Sequence, residues 1–92
     1  METKSVTGKY SAMINSYLGR RLYNARVLRG LGRKQLGNRV GVSYQQIQKY
    51  EKGINKISAE RLFEFAVILE LPIAYFYYNL EMVFDSKKHE VD

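Results

Sequence analysis

The chain has 92 residues and a formal charge of +6, with no cysteine and one histidine, which makes a single small domain. Without cysteine there is no disulfide framework and no thiolate metal site, and His89 alone cannot build a His-based metal centre or catalytic triad in one chain. No apolar run approaches the roughly 20 residues that cross a bilayer, and the opening METKSVTGKYSAM lacks the apolar core of a secretory signal, so a cytoplasmic protein is expected, with no membrane, metal or cofactor.

Residues 1–13 are polar, with few apolar anchors, and are expected to form a flexible arm. The helical period begins at Ile14 and continues through Leu18, Leu22, Ala25 and Arg29. A first helix is therefore predicted to start between Ala12 and Ser16 and to close at Gly30. A second helix should run from Arg33 to Val40, with Gly32 at its cap and Leu36 and Val40 as its apolar pair. Gly37 inside it costs about 1 kcal/mol relative to alanine, so its missing Cβ points to a close approach by the partner helix. Gly41 ends this helix and permits positive φ. Ser43 is placed to cap a third helix, Tyr44 to Glu51, through the amide of Gln45 or Gln46. Ile47 and Tyr50 face inward there, which leaves Tyr44, Gln45, Gln48 and Lys49 outward, with Gln46 to one side.

Ser58 is the next cap. Leu62, Phe65, Ala66 and Leu69 give a regular stripe to a fourth helix, about Ala59 to Glu70. Phe63 and Val67 lie off that stripe. Pro72 suits a first turn, so a fifth helix is predicted from Pro72 to Tyr78, with Ile73 and Phe76 in the core. Residues 79–92 form a C-terminal extension, apolar at first and then charged. No segment alternates as a strand does. The chain reads as an all-α domain of five helices, its globular part spanning residues 14–78.

Charge is unevenly placed. Residues 20–56 hold Arg20, Arg21, Arg26, Arg29, Arg33, Lys34, Arg39, Lys49, Lys52 and Lys56 against the single acid Glu51. A basic middle of this kind suits a polyanion. Around Gly41, a small residue four positions earlier, Val42 next, Ile47 six later and Tyr50 nine later complete the spacing that packs two helices about a tight turn.

The stretch GLGRKQLGNRVGVSYQQIQKYEKG, residues 30–53, resembles the Cro and phage-repressor-type, XRE-like helix-turn-helix family of bacterial regulators. The likeness extends from about Leu18 to Tyr78. It implies a lambda-repressor-like fold and a DNA-binding transcription regulator acting on double-stranded DNA. Three positions depart from the family pattern: Gly32 replaces a capping serine or threonine, Arg33 a phosphate-contacting glutamine, and Gly37 an alanine. The resemblance also implies that Arg26 and Glu51 form a partly buried ion pair between the first and third helices.

With the third helix in the major groove, Gln45 is the first candidate for reading a base, since an amide pairs bidentately with adenine. Tyr44, Gln48 and Lys49 are the others. Arg33, Lys34, Ser43, Gln46, Asn55 and Lys56 are candidates for phosphate, as is Arg20 or Arg21. Proteins of this kind bind palindromes as homodimers, and Tyr75, Tyr77, Tyr78, Leu80, Met82 and Phe84 are the candidate dimer surface. An alternative from another class is an antitoxin-like protein whose helix-turn-helix serves autoregulation while its aromatic end holds a partner. An enzyme is not expected, because no set of catalytic side chains can be assembled.

Overall fold

Capping chemistry sets the helix boundaries in the computed structural model, which describes residues 3–82. The helices are α1 Thr3–Leu28, α2 Arg33–Val40, α3 Tyr44–Glu51, α4 Ala59–Leu69 and α5 Ala74–Tyr77. No strand occurs among the described residues, so the fold is all-α as expected. Ser43 Oγ accepts from the amide of Gln46 at 3.1 Å, and Ser58 Oγ from that of Arg61 at 3.0 Å. Gly32 has no side chain to offer α2, and Gln35 answers from inside the helix: its Oε1 accepts from the Gly32 amide at 2.7 Å. Gly41 takes φ 82°, and its amide and that of Val42 both donate to Gly37 O, at 2.8 and 2.9 Å. That pair of bonds is the tight turn joining α2 to α3.

Two boundaries differ from expectation. α1 begins at Thr3, so the segment expected as an arm is helical from Thr3 onward, and Tyr10 within it is buried. Thr3, Ser5, Thr7 and Gly8 are poor helix formers, which is why the segment reads as a tail; burial of Tyr10 outweighs that weak preference. At the other end α5 is only four residues long. Pro72 and Ile73 lie in the turn before it, where Tyr75 and Phe76 amides bond back to their carbonyls. Ile73 is consequently 42% exposed rather than in the core, and α5 inserts Phe76 alone. A further helical stretch opens at residue 80 and runs to the edge of the described residues.

Leu18, Leu22 and Ala25 of α1, Leu36 of α2, Ile47 and Tyr50 of α3, Leu62, Phe65, Ala66 and Leu69 of α4, and Phe76 of α5 form one buried cluster. Every helix thus contributes its apolar stripe to a single core. Phe63 and Val67 stay outside it and are exposed. The tightest approach is at Gly19, where an added Cβ would stand 2.3 Å from Tyr50 O and 2.7 Å from Glu51 O. Here α1 crosses the end of α3 backbone to backbone. Gly37 is also a close approach, but its neighbour is the turn: an added Cβ would meet Val42 O at 2.5 Å.

Three arginines hold helix ends together. Arg21 donates from Nε and Nη2 to Tyr75 O at 2.8 and 2.6 Å, with its guanidinium 3.9 Å from the centre of the Tyr75 ring. Arg29 donates to Leu69 O at 2.6 Å and Glu70 O at 3.0 Å, closing α4. Arg61 donates to Val40 O at 2.9 Å, closing α2. Each satisfies carbonyls that a helix leaves open at its C-terminus, where positive charge is also favoured.

Candidate nucleic-acid interface

α3 turns Ile47, Tyr50 and Glu51 inward, and this fixes what faces out. Tyr44, Gln45 and Lys49 are exposed, and Gln48 and Gln46 are half-buried. On a 3.6-residue turn, Tyr44 and Gln48 form one row and Gln45 and Lys49 the next. The four candidate base-reading residues therefore share one outward strip of a short helix. Its chemistry is amide, phenol and ammonium, the donors and acceptors that match base edges.

The candidate phosphate residues frame that strip. Lys34 is exposed at the start of α2, where open backbone amides and the helix dipole favour an anion. Ser43 is exposed, its Oγ accepting the capping bond; the hydroxyl proton stays available to donate. Asn55 is half-buried and Lys56 exposed. Their loop is pinned to the end of α3, because Ile54 and Asn55 amides donate to Lys49 O at 2.9 and 3.4 Å.

Arg33 is placed differently from its neighbours. Its side chain is 38% exposed, and its Nε donates to Glu51 Oε1 at 3.1 Å. Glu51 is buried, with 3% of its side chain exposed, and Arg26 grips it from the other side. Arg26 Nε meets Oε2 at 2.6 Å, Nη2 meets Oε1 at 3.1 Å, and Nη1 donates to Leu31 O at 2.8 Å. One carboxylate thus ties α1 and the first residue of α2 to the last residue of α3. Such a fork is rigid, and it fixes the angle at which α3 stands on the domain.

Arg21, the other candidate for a flanking phosphate, spends its Nε–Nη2 edge on Tyr75 O and its face on the Tyr75 ring. Tyr75 is correspondingly half-buried and packed against the core. Tyr77, Tyr78 and Met82 remain exposed and Leu80 half-buried; Phe84 lies outside the described residues. Of the ten basic residues in 20–56, Arg21, Arg26 and Arg29 are engaged internally and Arg33 is shared with Glu51. Arg20, Lys34, Arg39, Lys49, Lys52 and Lys56 are exposed, and they carry the positive field. Sequence patterning did not single out Tyr23 and Lys52, which stand beside Arg20 and Arg33; their proximity depends on the α1–α3 crossing.

Among the described residues no cluster of histidine, cysteine or carboxylate side chains has the makings of a metal site. No helix is long and apolar enough to cross a membrane.

The helix-turn-helix family HTH_3 matches residues 22–76. The chain is 46% identical over 68 residues to an uncharacterized transcriptional regulator in the ATPase CF(0) region of Rhodospirillum rubrum, covering 74% of this chain and 63% of that one. An uncharacterized HTH-type transcriptional regulator of Rickettsia conorii is also 46% identical over 68 residues, covering 74% of this chain and 54% of its own. One from Sinorhizobium medicae is 39% identical over 64 residues, covering 70% and 46%. The chain therefore spans only about half to three-fifths of the length of these relatives. Among solved structures, an HTH_3 family transcriptional regulator from Vibrio cholerae superposes with a TM-score of 0.68 at 28% identity, over 75% of this chain and 39% of that one.

Proposed function

Since the chain belongs to the helix-turn-helix family HTH_3, we propose that it is a bacterial, cytoplasmic transcription regulator that reads a palindromic DNA operator as a homodimer, with α3 in the major groove. The observation that carries this is the single outward strip of α3, Tyr44, Gln45, Gln48 and Lys49, on a helix locked at both ends. Ser43 caps its start, and the Arg26–Glu51–Arg33 group holds its end.

In this reading Gln45 donates to N7 and accepts from the N6 amino group of an adenine through its amide. Tyr44 sets its ring against a thymine methyl. Lys49 donates to guanine O6 or N7, and Gln48 serves a neighbouring base or phosphate. Lys34, Arg33, Ser43, Gln46, Asn55 and Lys56 hold the backbone on either side, supplying affinity and register rather than sequence choice. Four side chains select too few bases for a unique site, so two copies pair through Tyr77, Tyr78, Leu80 and Met82. Their recognition helices then fall about 34 Å apart, one turn of duplex.

Selection of bound duplexes from a random pool tests the reading. A two-fold symmetric consensus with half-sites one helical turn apart is expected. Binding that is strong, salt-sensitive and indifferent to sequence would refute it.

A further inference from the structure

Tyr17, Gly19 and Arg21 belong to one turn of α1. Gly19 is two residues from each of the others, about 200° round the helix, so it faces one way and they face the opposite way. On the Gly19 side the backbone of α3 crosses so closely that an added Cβ would collide with Tyr50 O and Glu51 O. On the other side stands the segment 75–78. Arg21 donates from Nε and Nη2 to Tyr75 O at 2.8 and 2.6 Å, and its guanidinium lies 3.9 Å from the centre of the Tyr75 ring and 5.8 Å from that of Tyr78. The Tyr17 hydroxyl donates to Tyr78 O. A single helix, about 10 Å thick, therefore separates the end of α3 from Tyr77 and Tyr78. Its two sides are not held alike. The α3 side is clamped by backbone contact and by the buried Arg26–Glu51 pair. On the other side α5 is four residues long and fully buries only Phe76. One buried ring fixes depth but acts as a pivot. The Arg21 fork opposes rotation about it, because two rigidly spaced N–H groups converge on a backbone oxygen while the guanidinium plane rests on a ring.

We propose that Arg21 is a positioning residue that sets the spacing between the two half-sites: it holds Tyr77 and Tyr78 at a fixed angle to α3, and so fixes where the second copy stands. The assignment rests on the homodimeric operator reading. Arg21 touches neither base nor phosphate in it and acts only through Tyr75. The leverage is large. With recognition helices about 34 Å apart, each stands about 17 Å from the two-fold axis. A rotation of about 10° at the Phe76 pivot then moves α3 by about 3 Å, close to the roughly 3.4 Å rise of one base pair. In a symmetric pair the error enters twice.

R21Q removes the fork and the charge and leaves the outward strip of α3 and Tyr77 and Tyr78 unaltered. R21K keeps the charge and one donor, and carries the test if R21Q does not fold. Operators are built from the selected half-sites with the spacer unchanged, one base pair longer and one base pair shorter, beside a duplex carrying a single half-site. The wild type is expected to lose at least about tenfold in affinity on either change of spacer, the cost of a misplaced base contact. Both variants are expected to lose about threefold or less, with single half-site affinity and its salt dependence at wild-type values. Spacer preference retained by R21Q, or restored in full by R21K, overturns the proposal. A flatter salt slope on the single half-site also overturns it, because Arg21 is then a phosphate contact. A second measurement needs no DNA. Backbone residual dipolar couplings of residues 44–51 and 75–78 report the angle between the two segments in the free chain. One common alignment in the wild type and separate alignments in the variants are expected; a common alignment throughout refutes the holding role. Should the wild type select no two-fold operator, the homodimeric reading fails on its own account, and the couplings alone then decide whether Arg21 fixes the angle.

Discussion

Gly19→Ala sets two effects of opposite sign against each other. Alanine is the better helix former by about 1 kcal/mol, and Gly19 lies well inside α1, so on propensity alone the variant gains stability. Packing opposes this. The new Cβ would lie 2.3 Å from Tyr50 O, 2.7 Å from Glu51 O and 2.9 Å from Glu51 C, where ordinary contact begins at 3.4 Å. All three atoms are backbone, and no rotamer change relieves them. α1 and α3 must separate by about 1 Å, and cores resist such shifts at a cost of about 1–3 kcal/mol. The separation also pulls on the buried Arg26–Glu51 pair, whose full loss costs about 3–5 kcal/mol. With steric cost near the top of its range and part of the pair lost, the net destabilisation is about 2–4 kcal/mol after the propensity gain. In a domain of this size that lowers the melting temperature by about 10–25 °C. Thermal melts followed by circular dichroism measure it, with Gly32→Ala as control, because a Cβ there meets only Gln35 Oε1 at 3.6 Å. A Gly19→Ala melt at or above wild type would refute the crossing.

Glu51→Ala strips Arg26 and Arg33 of their shared carboxylate and leaves a buried guanidinium uncompensated; denaturant titration is expected to show a loss of about 3–5 kcal/mol, and a loss under 1 kcal/mol contradicts the structural role. Glu70 ends α4 in the left-handed region, φ 57°, a position that suits glycine, so Glu70→Gly is expected to raise stability by about 0.5–1 kcal/mol in the same titration. Gln45→Ala is expected to relax preference at one base of each half-site by about 1–3 kcal/mol in competition binding; a uniform loss across sequences instead removes Gln45 from base reading.

α2, α3 and the α2–α3 turn were legible because their determinants are local: Gly41, the Ser43 cap, and apolar residues at fixed offsets. The family likeness added what spacing does not contain, namely the partner of Glu51. Features decided by tertiary contact were not legible. α1 runs back to Thr3 through residues with little helix preference of their own. Ile73 reads as core by its apolar character, yet α5 is too short to bury it. Gly19 gives no signal in sequence, since its small size matters only where Tyr50 and Glu51 carbonyls meet it. Arg21 looked like its neighbour Arg20, and only the carbonyl of Tyr75, 54 positions away, distinguishes them.

The two kinds of cation divide by position. Arg21, Arg26, Arg29 and Arg61 spend their guanidinium groups on carbonyls and on Glu51, Arg29 doing so at the surface, whereas Lys34, Lys49, Lys52 and Lys56 are exposed. The planar fork of arginine satisfies several fixed acceptors at once and sheds water at lower cost; the ammonium of lysine holds its hydration. The surface field near α3 is therefore built mostly from point charges, with Arg20 and Arg39 as the exposed exceptions. Point charges attract phosphate without dictating its orientation, so they contribute affinity and salt dependence and little register. Register must come from parts that cannot move: the capped start of α3, its clamped end, and Arg33, the one arginine that both faces the proposed DNA side and is held by a buried acid. Replacing Arg33 by lysine keeps the charge and removes the fork. If register rests there, Arg33→Lys retains the salt dependence of binding yet blurs base preference along the whole half-site, an outcome that a purely electrostatic role for Arg33 does not allow.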